Sequence, residues 1–384
     1  MAFDFDKPID RSATRSGKWA DPELLPLWVA DMDFESPPVV QEAIAARAAH
    51  NLYGYDRLPE NYFPALQGWF KARQGYELKE DWLIATSGVV NALHLAVQAL
   101  SLPGDEVVIQ PPVYHPFPRA ILNSGRQLVT SPLRRVESRY EIDFDDLEAK
   151  FARRRVKLFI LCNPHNPIGK VYSRQELKTI GELALKHGVV VVSDEIHGDL
   201  ILPGHEFTPF ASLGGEHLNN SVIATAPSKT FNLAGLGTSN IFIANPGLRD
   251  QFARFGEGLG LHGGSLYGFI ACEAAYRAGG PWLDELLAYL QGNAQLVQGF
   301  FKAELPEIKA DELQGSYLQW VDFSALGLDD EALEALMRER AKLWVSPGIQ
   351  FGEGGSGFLR LNLATQRSRL QTALERIKAA VRGQ

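Results

Sequence analysis

The sequence contains little cysteine. Two of its 384 residues, Cys162 and Cys272, are too few for the disulfide framework of a small secreted fold. Basic residues are not in excess either, since 46 acidic residues outnumber 38 basic ones and leave a net charge of −8. That balance argues against an extended nucleic-acid interface. We therefore expect a protein of a reducing compartment that binds no nucleic acid.

Long apolar runs are absent as well. No stretch reaches the roughly 18 uncharged apolar residues that a membrane span needs. The first twenty residues lack the apolar core of a secretory signal. The nine histidines occur without the spacings typical of zinc sites, so we expect no metal. These absences predict a protein without membrane association and with a cytoplasmic location.

The sequence does contain a regular alternation of short apolar runs and helical patterns. Hydrophobic residues make up 45% and charged residues 22% of the chain, as in ordinary globular proteins. The predicted strands are Trp82–Thr86, Glu106–Gln110, Val156–Leu161, Val189–Ser193 and Ser221–Thr225. Runs such as the four valines at 189–192 have no polar alternation, which is typical of parallel strands buried on both faces. The pattern predicts an α/β domain with a mostly parallel sheet flanked by helices.

Helix starts and a change of pattern complete the predicted outline. Ser173 followed by Glu176 has the spacing of a capping box. Beyond about residue 280 the pattern indicates a smaller α+β domain. Its predicted elements are a helix at about 282–302, a strand within 316–323, a helix near 328–340, a strand at 358–363 and a final helix. We predict an N-terminal segment (1–50) that packs with the small domain, a large domain (51–280) and the small C-terminal domain (281–384).

Polar or aromatic residues follow every one of the five predicted strands. The segments after the strands read SGV (87–89), PPVYHPF (111–117), CNPHNPIGK (162–170), DEIHGD (194–199) and APSKTF (226–231). Because ligands bind beyond the carboxyl ends of strands in open parallel sheets, these segments define one predicted site. It offers helix-start amides for a phosphate, an aromatic face, an amide, a carboxylate and a primary amine. These are the groups needed to hold pyridoxal phosphate.

Each candidate residue also has a purely structural explanation. Lysines such as Lys229 are mostly solvated surface groups, Asp194 could cap a helix, and Asn166 could be a turn residue. Tyr114 could be core packing, and Arg360 could form a surface ion pair. The setting of Lys229 and Asp194 directly after apolar runs favours the functional explanation for these two.

At these residues the sequence resembles a known family. It is similar to fold-type I pyridoxal phosphate enzymes of the aspartate aminotransferase superfamily and, more narrowly, to the MalY/PatB-type cystathionine β-lyases, which are carbon–sulfur lyases. The matching motifs, in the family's order along nearly the whole chain, are LWVADMDF (27–34), YGY (53–55), PPVYHPF, CNPHNPIGKVY (162–172), VVSDEIHGDL (191–200), APSKTFNLAGL (226–236), WLDE (282–285) and FLRLNLA (358–364). The resemblance implies an enzyme that cleaves cystathionine or related cysteine S-conjugates to a thiol (homocysteine), pyruvate and ammonia.

The resemblance implies a role for each residue near the cofactor ring. Lys229 resembles the lysine that binds the cofactor covalently and moves the substrate's α-proton. Asp194 resembles the partner of the pyridine nitrogen, and Tyr114 resembles the residue stacked on the ring. These three are the implied catalytic residues. Asn166 resembles the group that bonds the ring hydroxyl oxygen, and it is also expected to contact the substrate.

The phosphate and the substrate have their own implied partners. Gly88 and Val89 resemble the phosphate-binding amides, and Ser228 is a further expected phosphate contact. Arg360 resembles the arginine that clamps the substrate's α-carboxylate in bidentate fashion. Ala30 would approach the same carboxylate through its backbone.

Three further positions concern the assembly and the subgroup. Tyr55 resembles a tyrosine that reaches across a homodimer interface to the neighbour's cofactor. Many aminotransferases have an arginine eight residues after the lysine and a tyrosine three residues after the aspartate. Here Gly237 and His197 occupy these positions, and His197 is counted among the expected cofactor contacts. Both departures fit the lyase subgroup. The alternative activity is an aminotransferase on the same fold, and a rival of another class is a catalytically weak cofactor-binding regulator.

Overall fold

The computed structural model describes residues 3–11, 14–55, 57–261 and 263–383. Its helices are α1 (Pro38–Ala49), α2 (Tyr62–Gln74), α3 (Val89–Ala99), α4 (Pro116–Leu122), α5 (Phe144–Phe151), α6 (Arg174–His187), α7 (Gly215–Asn219), α8 (Pro227–Thr230), α9 (Pro246–Gly258), α10 (Leu266–Ala278), α11 (Gly280–Glu304), α12 (Asp330–Ala335) and α13 (Arg367–Arg382). Its strands are β1 (Leu25–Pro26), β2 (Leu83–Thr86), β3 (Glu106–Ile109), β4 (Gln127–Thr130), β5 (Arg134–Val136), β6 (Arg139–Glu141), β7 (Val156–Cys162), β8 (Val190–Asp194), β9 (Ser221–Thr225), β10 (Ser239–Phe242), β11 (Lys309–Ala310), β12 (Leu318–Asp322), β13 (Leu343–Trp344), β14 (Ser346–Pro347) and β15 (Phe358–Asn362).

A seven-stranded sheet with the order β2–β10–β9–β8–β7–β3–β4 forms the centre of the molecule. Five adjacent strands of this sheet are parallel to one another, namely β9, β8, β7, β3 and β4. β10 is antiparallel to both β9 and β2. All five predicted strands lie in this sheet, and each of their ends lies within one residue of its predicted position. The predicted α/β class with a mostly parallel sheet is confirmed.

Two strands of this sheet escape the sequence prediction because they do not form apolar runs. β10 contains Ser239 and Asn240, both fully buried. Their polarity is satisfied inside the protein, since Ser239 bonds Thr86 and the Tyr62 hydroxyl donates to Asn240 Oδ1 at 2.6 Å. β4 is an edge strand, and its first residue, Gln127, is exposed. Strand prediction depends on a run of apolar residues, and neither buried polar residues nor exposed residues of an edge strand provide one.

Helices cover both faces of the sheet, and successive strand residues pack on opposite layers. In β7, Leu158 and Ile160 belong to the apolar cluster with α3, α4 and α9. Phe159 and Leu161 belong to the cluster with α2, α5, α6 and α10. This double burial explains the unbroken apolar runs of the parallel strands. Among the described residues, no helix is both long and apolar enough to span a membrane.

The capping box predicted at the start of α6 is present. The Ser173 hydroxyl accepts from the Glu176 backbone N–H at 3.2 Å, and the Glu176 carboxylate accepts from the Ser173 N–H at 2.8 Å. These reciprocal bonds satisfy two of the amides that a helix start leaves open. Gly188 follows the last residue of α6, and its φ of +66° is the left-handed conformation that glycine adopts without strain.

A smaller antiparallel sheet, with the order β11–β12–β15–β14, lies in the C-terminal part. The predicted strands within 316–323 and at 358–363 correspond to β12 and β15, and the long helix to α11. The helix predicted near 328–340 is present as α12, which continues directly into a π-helical turn at Leu336–Arg340. The first fifty residues contact both parts, since β1 pairs with β13 and α1 packs on α10. The domain boundaries at 50 and 280 stay a prediction.

Candidate active site

A cavity of about 230 Å³ lies beyond the carboxyl ends of β7, β8 and β9. It brings together nine of the eleven predicted site residues: Ala30, Gly88, Val89, Tyr114, Asn166, Asp194, His197, Ser228 and Lys229. The tenth, Arg360, bonds directly to the cavity residue Asn166. The eleventh, Tyr55, lies on the surface with its side chain fully exposed.

Lys229 lies in the single turn of α8, directly after β9. Its Nζ donates to the Ala30 carbonyl at 2.6 Å. The next residue, Thr230, is fully buried and donates through its hydroxyl to Asp199 at 3.0 Å. Burial and the nearby charge of Arg360 lower the pKa of Lys229 to about 8. A lysine with such a pKa has a substantial neutral fraction near physiological pH, which a nucleophile or base requires.

Asp194 is the last residue of β8 and is 4% exposed. Its Oδ1 accepts from the backbone N–H of Ile196 at 3.1 Å. Burial raises the pKa of Asp194 to about 7, against the opposing effects of that hydrogen bond and of Lys229. A turn, and no helix, follows Asp194, so the residue does not cap a helix. The carboxyl lies in an apolar setting that favours its neutral form unless a cation comes close.

Arg360 reaches the site from β15 of the smaller sheet and is 3% exposed. Its Nη1 donates to Asn166 Oδ1 at 2.9 Å, and its Nη2 donates to the Trp28 carbonyl at 2.7 Å. Its guanidinium carbon lies 4.8 Å from the centre of the Phe351 ring. Nε is buried and has no hydrogen-bond partner among the described residues. Burial lowers the pKa of Arg360 to about 10, so the group stays cationic and retains a free donor.

His197 and Tyr114 both line the cavity. His197 Nδ1 hydrogen-bonds the buried hydroxyl of Ser316 at 3.0 Å. Burial and the charges of Lys229 and Arg360 lower the pKa of His197 to about 3, so its ring is neutral. Tyr114 is partly buried, and its ring packs edge-on against Phe117.

The three predicted phosphate contacts, Gly88, Val89 and Ser228, all line the cavity. Gly88 precedes α3 with a φ of +143° and provides no side-chain cap for its amides. Gly237, at the position of the aminotransferase arginine, has a φ of +57°, and a Cβ there would lie 3.4 Å from the Ser87 carbonyl. A side chain at Gly237 would therefore be strained. The structure agrees with an anion site built on amides and hydroxyls.

Several residues at the site were not among the sequence predictions. Asn91, Cys162 and Thr238 line the cavity, and the Thr238 hydroxyl is buried without a described partner. The Tyr317 hydroxyl donates to the Ala30 carbonyl at 3.1 Å, beside the Lys229 bond. Two of them could have been found from the sequence. Asn91 lies two residues after the predicted phosphate contact Val89, and Thr238 follows Gly237, where many aminotransferases have an arginine. Nothing local in the sequence marks Tyr317.

The whole chain has the fold of one enzyme family. Residues 22–377 match the family model of class I and II aminotransferases. The chain therefore belongs to that family, in agreement with its α/β architecture and with the lysine and aspartate at the strand ends. The solved structure of cystalysin from Treponema denticola, which contains pyridoxal 5′-phosphate, superposes with a TM-score of 0.97 at 39% identity and covers 100% of both chains.

Within this family the chain is similar to carbon–sulfur lyases. It is 45% identical to the cystathionine beta-lyase PatB of Bacillus subtilis, covering 99% of this chain and 100% of PatB. A pyridoxal phosphate-bound C–S lyase of Staphylococcus hominis, solved with L-cycloserine, is 32% identical with a TM-score of 0.92 and 99% coverage of both chains. These comparisons confirm the family that the sequence motifs indicate.

Proposed function

We propose that this chain is a pyridoxal phosphate-dependent C–S β-lyase, which cleaves cystathionine or a related cysteine S-conjugate into a thiol, pyruvate and ammonia. The observation that carries the proposal is the convergence of an amine, a carboxylate and a guanidinium, from Lys229, Asp194 and Arg360, at one cavity. The names of the relatives confirm the class of reaction expected from the sequence. For cystathionine, the thiol product is homocysteine.

The residues of the cavity fit pyridoxal phosphate, the group that the related structures contain. The buried Asp194 carboxyl has a backbone N–H as its described hydrogen-bond donor. A protonated ring nitrogen would supply the positive charge that this carboxylate needs in order to ionise. The backbone amides of Gly88 and Val89 and the Ser228 hydroxyl would bind the phosphate.

Four residues would have distinct roles around the cofactor ring, namely Lys229, Asp194, Tyr114 and Asn166. When bound, the cofactor withdraws electrons from the α-carbon of the attached substrate and makes its proton acidic. Asp194 would keep the ring nitrogen protonated, Tyr114 would pack on the ring, and Asn166 would bond its hydroxyl oxygen. Lys229 would hold the cofactor, and its Nζ would take the α-proton of the bound substrate. A pKa near 8 suits this base.

Arg360 would bind the carboxylate of the substrate. Its two Nη atoms already face the cavity residue Asn166 and the Trp28 carbonyl, and Nε retains a free proton. A planar fork of this kind binds a carboxylate in bidentate fashion. The backbone of Ala30 would lie beside it. By fixing the carboxylate, Arg360 would also orient the substrate's bond to sulfur for cleavage.

A homodimer and a cytoplasmic location complete the proposal. Tyr55 does not reach the cavity of its own chain. Leu52, Tyr53 and Leu58 beside it expose 41% or more of their surface, an unusual run of apolar groups in water. If a second subunit covered this segment, Tyr55 of each chain would lie near the cofactor of the other. The two cysteines are both buried and unpaired, which supports a reducing compartment.

The test is a product balance with cystathionine, in the presence and absence of a keto-acid acceptor. We expect equal amounts of pyruvate, ammonia and thiol without the acceptor. Lys229→Ala should abolish the products and the visible absorbance of the bound cofactor. Lys71→Ala, which removes an exposed lysine paired with Glu77, should change neither. Stoichiometric formation of an amino acid from the acceptor, with little pyruvate, would favour the aminotransferase instead.

A further inference from the structure

The segment between β1 and α1 passes over the cavity, and its backbone carbonyls meet the two cations of the site. We refer to residues 28–34 as the strap. Arg360 Nη2 donates to the Trp28 carbonyl at 2.7 Å. Lys229 Nζ donates to the Ala30 carbonyl at 2.6 Å. The strap thus supplies the hydrogen-bond acceptor of the amine that the proposed reaction uses as its base.

Asn232 joins the strap to the segment that carries Lys229. Its Oδ1 accepts from the Met32 N–H at 3.0 Å, and its Nδ2 donates to the Met32 carbonyl at 3.1 Å. Nδ2 also donates to the Phe34 carbonyl at 3.0 Å. The carboxamide therefore pairs with Met32 as a neighbouring strand would, with both N–H and C=O satisfied.

The backbone of Asn232 is adapted to this contact. Its φ is +60°, a left-handed conformation that asparagine tolerates better than most residues with a Cβ. Asparagine combines that tolerance with a side chain that both donates and accepts. Glycine would adopt the conformation more easily but would make none of the three bonds, so the residue present is the one that serves both needs.

We propose that Asn232 is a positioning residue for Lys229: by binding Met32 and Phe34 it holds the strap so that the Ala30 carbonyl receives the Lys229 amine whenever that amine is not attached to the cofactor. The inference rests on the proposed function of Lys229. The freed amine is held at one place above the cavity, ready to remove the α-proton. Tyr317 donates to the same carbonyl at 3.1 Å and holds it from the side of the smaller sheet.

Loss of the Asn232 bonds to the strap should shift the pKa of the Lys229 amine in a predictable direction. A carbonyl oxygen that accepts from Nζ stabilises the ammonium form more than the neutral amine. Displacement of Ala30 therefore lowers the pKa of the free Lys229 amine further. Of the other charged groups that act on Lys229, Arg360 and Asp194 lie outside the strap. Asp31 lies in the strap and raises the pKa of Lys229, so its displacement would lower that pKa as well.

The experiment compares Asn232→Gly with the wild-type holoenzyme and with a matched control. Asn232→Gly removes the three bonds while easing the left-handed backbone. The control, Asn245→Gly, removes an asparagine that caps α9 through two backbone bonds at the opposite edge of the central sheet. We expect kcat for cystathionine, per bound cofactor, to fall about tenfold in Asn232→Gly. KM and the dissociation constant of pyridoxal phosphate should change less than about threefold, because Arg360 and the phosphate contacts remain.

Two further readouts separate positioning from a general loss of structure. The primary isotope effect with α-deuterated cystathionine should rise in Asn232→Gly, because proton removal becomes slower relative to the other steps. In cofactor-free protein, the pH midpoint for acetylation of Lys229, measured by mass spectrometry of its peptide, should fall by about half a unit. Asn245→Gly should leave both values unchanged.

Wild-type kcat and an unchanged acetylation midpoint in Asn232→Gly would overturn the proposal, as would equal losses in both glycine variants. If Asn232→Gly does not fold, Asn232→Asp tests the same loss of kcat and rise of the isotope effect, since its carboxylate would face the two carbonyls that Nδ2 now binds. Its added negative charge raises the pKa of Lys229, so the acetylation midpoint is read only in the glycine variants. Failure of the proposed function is recognised separately, by lyase activity in Lys229→Ala or its absence from the wild type. In that case the acetylation midpoint still tests whether Asn232 holds the Ala30 carbonyl against Lys229.

Discussion

Asp194→Asn should stabilise the cofactor-free protein at neutral pH, although it removes the residue proposed to hold the cofactor ring. The carboxyl is buried, and that burial raises its pKa from 3.8 to about 7. Between these pH values the folded chain keeps a proton that the unfolded chain has released. The free energy of unfolding therefore falls as pH rises from about 4 to 7. Asparagine is nearly isosteric and does not titrate, so the variant lacks this loss.

The size of the effect follows from the shift. Three pKa units at about 1.4 kcal/mol each give an upper value of about 4 kcal/mol at pH 8. With roughly 2 cal/mol/K of unfolding entropy per residue, this corresponds to a rise of up to about 5 °C in Tm for a chain of this length. Glu195, whose pKa is raised to about 8 by burial, contributes a loss of the same sign. It is present in both proteins and largely cancels in their difference.

The assay is thermal unfolding of cofactor-free wild type and Asp194→Asn at several pH values from 4 to 8. We expect similar Tm values at pH 4 and a growing advantage of the variant as pH rises. Addition of pyridoxal phosphate at pH 8 should make the wild type the protein with the higher Tm, because the protonated ring nitrogen would pair with the Asp194 carboxylate. Parallel curves over the whole pH range, or equal stabilisation of both proteins by the cofactor, would refute the reasoning.

Two further predictions concern the substrate and the assembly. Arg360→Lys keeps the positive charge but loses the fork that now contacts Asn166 and Trp28. Loss of one charge-assisted bond, about 1.5–3 kcal/mol, should lower kcat/KM for cystathionine roughly 10- to 150-fold without loss of bound cofactor. Dissociated and remixed Tyr55→Phe and Lys229→Ala subunits should recover up to about a quarter of wild-type activity, since half the dimers are hybrids with one intact site. A fully active monomer in light scattering would contradict that expectation.

The sequence predicts the site well wherever its residues come from the ends of parallel strands. Asp194 and Cys162 are neighbours in the register of β7 and β8, although 32 residues separate them in the chain. The parallel direction of these strands follows from their apolar runs and from the helical patterns between them. Once the strands are parallel, everything that follows them meets at the same edge. The placement of Lys229 and Asp194 at the same edge of the sheet needs no further information than this.

Contacts that depend on the packing of distant segments could not be predicted from the residues alone. The Ala30 carbonyl meets Lys229 across 199 positions, and Asn166 meets Arg360 across 194. Both pairs require the strap and β15 to lie over the edge of the central sheet, and no local pattern specifies that packing. The resemblance to a family indicates Arg360 and Ala30 near the substrate. It does not indicate that Asn232, three residues after the lysine, binds the strap.

The pKa shifts at the cavity all act in the same direction, toward the neutral form. Burial pushes Asp194 toward the neutral acid and Lys229 toward the neutral amine, and it keeps His197 uncharged. Arg360 stays charged, with backbone and amide oxygens as its partners. A cavity of this kind gains most from a ligand that brings a cation to the aspartate and an anion to the arginine. A protonated pyridine ring would bring the cation to Asp194, and the carboxylate of an amino acid would bring the anion to Arg360. Binding of the proposed cofactor and substrate would therefore relieve the electrostatic cost of burying these groups.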